Sequence, residues 1–184
     1  MTADEFNQEW YCSFEASIKG AIYSEELSRA RLEGRVGMFP YDTGQLVHTV
    51  WDLGKGANMS VGFYQKAFDQ LKMVYSWEGA ENDGLPQAIK AVKERPYVFG
   101  KHFAPHDVRA VDLSTGKTRI EAAKELGLVF TVVPDIGVVE GINAAKIMFS
   151  RLFVHQPNCQ RFLDYIGQYH REWDDNKGMF RDNP

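Results

Sequence analysis

Two aspartates carry the chemistry this sequence offers, and each ends an apolar run. Asp52 follows Leu46-Val47-His48-Thr49-Val50-Trp51 and precedes Leu53-Gly54-Lys55-Gly56. Asp107 follows Tyr97-Val98-Phe99-Gly100-Lys101-His102-Phe103-Ala104 and Pro105-His106. β-Branched and aromatic runs of this length read as strands buried on at least one face. A carboxylate at a strand end is held by the sheet, and a Gly-x-Gly turn lets backbone or a phosphate come close to it. Magnesium and manganese want hard oxygen ligands, and magnesium takes one or two carboxylates while keeping several waters. Two such ions, roughly 3.5–4 Å apart, would activate water and stabilise the leaving oxygen of a phosphodiester. Singly, Asp52 reads as a turn-former and Asp107 as a cap or loop residue. As a pair on matching strand ends, they read as a metal site.

Other side chains would act around that pair. Glu78, in Trp77-Glu78-Gly79, ends a third strand, from which it would approach as an outer metal ligand. His106 would donate to a phosphate or orient Asp107, whereas His102 lies within a strand and reads as packed. Arg109, Lys117 and Arg119, with Lys55 in the glycine turn, form a basic rim suited to a nucleic-acid backbone. Gly116-Lys117-Thr118 resembles the end of a phosphate-binding loop. That motif needs a glycine five residues earlier, where this chain has Val111, so no nucleotide site is expected.

The elements that must position these residues follow from periodicity and punctuation. Strands are expected at 46–51, 59–65 and 71–77 as an antiparallel meander, then at 97–103 and 128–133. Helices are expected at 24–33 (Ser24 as N-cap, Gly34 as stop), 85–94, 117–126, 137–153 and 157–170. The order βββαβαβαα gives an α/β fold with a mixed central sheet flanked by helices. Strands 46–51 and 97–103 would be parallel neighbours, delivering both aspartates to the edge where α/β sheets bind ligands. A small hairpin is expected around Asn176-Lys177-Gly178. Residues 1–40, with Trp10, Tyr11 and Phe14, read as an arm, and the domain proper runs from 41 to 184.

Bulk composition narrows the class. The chain has 184 residues, 44% hydrophobic and 25% charged, enough for one domain with a proper core. No apolar run is long enough for a bilayer, and Met1-Thr2-Ala3-Asp4-Glu5 is no signal peptide, which makes the cytoplasm the expected compartment. Cys12 and Cys159 stand apart, so neither a zinc site nor a disulfide framework is expected. A net charge of −4 excludes a generally basic nucleic-acid binder but leaves room for one basic face beside an acidic site.

Several spaced motifs then carry a resemblance. Val50-Trp51-Asp52-Leu53-Gly54, Pro105-His106-Asp107, Gly116-Lys117-Thr118-Arg119, Glu140-Gly141-Ile142-Asn143-Ala144 and Tyr169-His170-Arg171-Glu172-Trp173-Asp174 stand in this order. From about Phe14 onward the chain resembles the nuclease half of tailed-bacteriophage terminase large subunits. The resemblance implies a ribonuclease-H-like fold and an endonuclease that uses Mg²⁺ or Mn²⁺ to cut double-stranded concatemeric viral DNA during packaging. It implies Asp52 and Asp107 as two metal-binding carboxylates, and a terminase small subunit and portal protein as partners. The compartment implied is the cytoplasm of an infected or lysogenic bacterial host.

Two departures shape the expectation. No complete nucleotide-binding motif is present, so residues 1–40 would be the tail of the family's motor and its linker. The chain also stops where the family continues into a helix bearing a third metal-binding aspartate, a role not transferred to Asp174, Asp175 or Asp182. Weak metal affinity and weak cleavage would follow. The alternatives are a silent domain that binds DNA or docks a partner, and another activity on the same architecture, such as a junction resolvase.

Overall fold

The computed structural model describes residues 21–54, 56–111 and 116–171, together with the backbone of 173–174 and 179–180. Its centre is a seven-stranded sheet: β1 (Val36–Gly37), β2 (Val47–Leu53), β3 (Met59–Ala67), β4 (Gln70–Glu78), β5 (Phe99–Ala104), β6 (Phe130–Val132) and β7 (Leu152–His155). The spatial order is β1-β7-β4-β3-β2-β5-β6. β2 pairs antiparallel with β3 and β3 with β4, while β2–β5, β5–β6, β4–β7 and β1–β7 are all parallel. Within this sheet β3 alone runs against the rest. The C-terminal ends of the other six strands therefore share one edge. That edge carries the candidate chemistry.

Among the described residues five helices cover the faces: α1 (Ser24–Leu32), α2 (Leu85–Lys93), α3 (Arg119–Glu125), α4 (Val138–Phe149) and α5 (Gln156–Gln168). Strand alternation divides the side chains between two layers. In β2, Val47, Thr49, Trp51 and Leu53 are buried and point one way, while His48, Val50 and Asp52 point the other. The first set joins Val61 and Phe63 of β3, Ala88, Ile89 and Val92 of α2, and Ala123 of α3 in one core. A second core, on the opposite face, gathers Met73, Leu152 and Val154 with Phe149 of α4, Cys159 and Leu163 of α5, and Tyr23 and Leu27 of α1. Between β2, β5, α4 and α5 this second face opens into an apolar groove of about 700 Å³, lined among others by Val50, Tyr64, Phe103, Phe149 and Ile166.

The mixed sheet flanked by helices and the three-stranded meander stand as expected, and strands β2 and β5 are parallel neighbours with Val50 opposite Phe103. Three features differ from the reading of the sequence. β7 takes the end of the helix expected at 137–153 and the link to the next, because Leu152-Phe153-Val154-His155 is too short a run to show a period of its own. Ser24 is the first helical residue of α1, not a side-chain cap. Residues 21–40 also contribute α1 and β1, which pack into the second core, rather than standing off as an arm. At the end of the chain Trp173 pairs with Phe180 and Asp174 with Met179, consistent with a hairpin. Its turn, Cys12 and the Trp10–Phe14 cluster lie outside the described residues, as do Asp175 and Asp182.

Candidate active site

Asp52 is the next-to-last residue of β2, held opposite Ser60 of β3, with its side chain on the exposed side of the strand. The turn behind it is closely built. Gly56 adopts φ +56°, a left-handed conformation that glycine tolerates best, and any Cβ there would run into the Glu81 carbonyl. A Cβ on Gly54 would likewise strike the Asn58 backbone, and one on Gly79 the Gly56 carbonyl. The glycines thus let two backbone segments touch beneath the aspartate. Tight packing fixes where β2 stops.

Asp107 reaches the same edge by another route. β5 ends at Ala104, and Pro105 leads into a short 3-10 turn, His106–Arg109, anchored by the fully buried Val108. The two carboxylates interact. Burial pushes the Asp52 proton affinity above the ordinary carboxylate range, the charge of Asp107 pushes it further, and the Gly54 N–H partly offsets both. A neighbouring carboxylate that raises another's pKa is a like charge in an incompletely solvated place. Tyr169, stacked on Tyr23 at 5.7 Å, lies close enough to Asp52 for that charge to add to burial in raising its hydroxyl.

Arg119 closes the gap between the two strand ends. Its Nη1 donates to the Leu53 carbonyl at 2.8 Å and lies 3.7 Å from Asp107 Oδ2. The sequence places it there by opening α3 at a fixed point. The Thr118 hydroxyl accepts from the Glu121 N–H, and the Glu121 carboxylate accepts from the Thr118 N–H at 2.8 Å, forming a reciprocal cap. Beside it, a cavity of about 490 Å³ is lined by Leu53, Gly54, Glu81, Lys117, Thr118 and Arg119.

The remaining candidates are distributed around this pair. Glu78 lies on the same sheet row as Asp52, with Ser60 between them, so two strand spacings of together about 9–10 Å separate the backbones. Its carboxylate, only 11% exposed, pairs with Arg161 at 3.8 Å. His106 Nε2 sits 3.6 Å from Asp135 Oδ2. Lys117 pairs with Glu125 at 2.6 Å, Arg109 is exposed on the 3-10 turn, and Lys55 lies outside the described residues. His102 is packed, with Nδ1 2.7 Å from the Thr49 hydroxyl, which also accepts from the Trp51 indole. Burial, then the charge of His48, lowers its proton affinity.

One residue was passed over in the sequence. Asp135 follows β6 and Pro134 just as Asp107 follows β5 and Pro105, so three neighbouring parallel strands each deliver an aspartate to one edge. The rule that selects Asp107 selects Asp135 too, once β6 is known to adjoin β5. Among the described residues, no group of three or more His, Cys, Asp or Glu side chains gathers as a metal cluster. Of the three edge aspartates, Asp52 and Asp107 are a pair of hard carboxylates in which the charge of one acts on the other. That set fits a magnesium ion, which satisfies most of its shell with water.

Comparison with solved structures decides the fold. The P22 large terminase nuclease domain superposes with a TM-score of 0.57 at 19% identity, over 82% of this chain and 81% of that one. The fold is that of the large terminase nuclease domains. A large terminase from a thermophilic bacteriophage gives 0.60 at 15% identity over 88% of this chain, which spans only 40% of that longer protein. The large terminase nuclease of thermophilic phage G20c, solved with bound magnesium, gives 0.55 at 14% identity over 86% of this chain and 85% of that one. No family model and no curated protein matches the sequence. A ribonuclease-H-like mixed sheet is thus the scaffold that carries Asp52 and Asp107.

Proposed function

We propose that this chain is the nuclease domain of a phage DNA-packaging terminase, a divalent-metal-dependent endonuclease acting on double-stranded DNA. The observation that carries the proposal is the convergence of Asp52 and Asp107 at the ends of adjacent parallel strands, close enough that one carboxylate raises the proton affinity of the other. The shared fold with the magnesium-bound G20c nuclease supports the choice of ion. Asp52 and Asp107 would hold Mg²⁺ or Mn²⁺, which supplies an activated water and charge stabilisation at the scissile phosphate. The protein's own part is positional. Gly54 and Gly56 fix the end of β2, and the 3-10 turn presents Asp107. Arg109, exposed on the turn that carries Asp107, and Lys117, in the cavity lining beside Arg119, would hold a phosphate backbone. In packaging, a motor, a terminase small subunit and a portal protein would act together with the domain.

The test is nicking of supercoiled plasmid in Mn²⁺ and Mg²⁺ by the wild type, Asp52→Asn and Asp107→Asn. Loss of nicking in both variants, with folding intact, is the expected result; nicking undiminished in both defeats the proposal. A second reading, a domain that binds duplex DNA without cutting it, is favoured by the lack of a third clustered carboxylate among the described residues. It predicts salt-sensitive DNA binding with no metal-dependent cleavage.

A further inference from the structure

We infer that Arg119 is a positioning residue for the metal-binding edge, and not part of a phosphate-gripping rim. The inference rests on the metal reading of Asp52 and Asp107 and assigns a role to a third side chain within it. The sheet ladder alone does not fix how the two aspartates face each other. The β2–β5 pairing ends with Val50 opposite Phe103. Beyond that point Leu53 pairs with Met59 on the far side of β2, and Ala104 with Val132 on the far side of β5. Asp107 lies three residues past the last paired position of β5, on the 3-10 turn and outside the ladder. Arg119 spans that opening. One nitrogen donates to the carbonyl of Leu53, the residue next to Asp52, and the same nitrogen faces the Asp107 carboxylate.

Three features separate this from an ordinary surface cation. The side chain is about one-third exposed, and it is turned inward onto a main-chain carbonyl. Its backbone is fixed by the Thr118–Glu121 cap on one side and by Ile120 and Ala123 in the core on the other. The nitrogen that makes both approaches also stands one bond further from the backbone than a lysine ammonium would, so lysine keeps the charge but not the reach. Side chains that orient metal ligands typically change metal affinity by about 10–100-fold when removed.

Arg119→Lys and Arg119→Ala test this by two readouts: Mn²⁺ binding by titration calorimetry, and the salt dependence of duplex DNA binding without metal. The positioning role predicts that both variants bind Mn²⁺ at least about tenfold more weakly. It also predicts that lysine does not rescue the loss, and that neither variant changes the slope of log affinity against log salt. Metal-free thermal unfolding of Arg119→Lys checks that the fold is kept. A slope reduced by about one in Arg119→Ala and restored by lysine, with Mn²⁺ affinity unchanged, makes Arg119 a phosphate contact and overturns the inference. Mn²⁺ binding that depends on Asp52 and Asp107 but not on Arg119 overturns the inference alone. A wild type that binds no Mn²⁺ overturns the metal reading along with it.

Discussion

Replacing Asp52 by asparagine should have opposite effects with and without metal. In the metal-free protein the Asp52 carboxylate is held in a partly desolvated place beside the charge of Asp107, and its folded-state pKa is raised above the unfolded value. The sign follows from linkage. A carboxyl group with a raised folded pKa favours the native state fully below the unfolded pKa. That advantage is lost as pH climbs through the folded value, so at neutral pH the ionised group is a burden. Asparagine keeps the shape and can still accept from Gly54, but it removes the repulsion. Because Asp52 is exposed to water on one side, the gain is at the scale of a screened surface pair, about 0.5–1 kcal/mol. In a protein of this size that raises the melting temperature by about 1–4 °C. With metal at a hundredfold excess over its Kd, the wild type gains about 2.7 kcal/mol, or about 5–11 °C, and the variant gains little. Thermal unfolding by circular dichroism at pH 7, with EDTA or with Mn²⁺, reads both effects. Scans between pH 4 and 7 should show the EDTA difference growing with pH. A variant less stable than the wild type in EDTA would refute the electrostatic account, and equal Mn²⁺ shifts in the two proteins would refute the metal assignment.

Other perturbations test the scaffold and the surface. Gly56→Ala forces a side chain into a left-handed conformation against the Glu81 carbonyl and should destabilise by about 1–3 kcal/mol, measured by urea unfolding. Thr118→Ala removes the hydroxyl half of the α3 cap and should lower the melting temperature by about 2–4 °C, with a matching loss of Mn²⁺ affinity if α3 carries Arg119 into place. The Cys159 thiol is buried and its pKa pushed up to about 12, so alkylation at pH 8 should be slow in the folded protein and fast in urea. Peptide mapping by mass spectrometry distinguishes it from Cys12. Arg109→Ala should reduce the salt slope of duplex binding by about one, measured by fluorescence anisotropy.

The parts of this molecule that were legible in the sequence are those set by local pattern. Alternation in Val47–Leu53 shows which residues of β2 face the core, and the helix expected at 85–94 matches α2 within a residue. The parallel pairing of β2 with β5 is what the element order, a meander followed by α/β units, allows. What the pattern hides is neighbourhood. β7 is four residues long and lies between two helices, so its position beside β4 depends on a crossover that no local signal marks. Asp135 is hidden for the same reason. It becomes conspicuous only when β6 is placed next to β5, where its Oδ2 lies 3.6 Å from His106 Nε2.

Arg119 shows the limit most clearly. In the sequence it is one of two cations in Lys117-Thr118-Arg119, and charge alone assigns both to a backbone-binding rim. The fold separates them by what lies opposite. Lys117 meets Glu125 on its own segment, whereas Arg119 turns inward and joins the ends of two strands whose sequences are more than fifty positions apart. A guanidinium that donates to the main-chain carbonyl beside one aspartate and lies 3.7 Å from the carboxylate of the other draws the two strand ends toward one charge. For that reason lysine, which conserves charge but ends one bond short of the donating nitrogen, is the more telling substitution at this position than alanine.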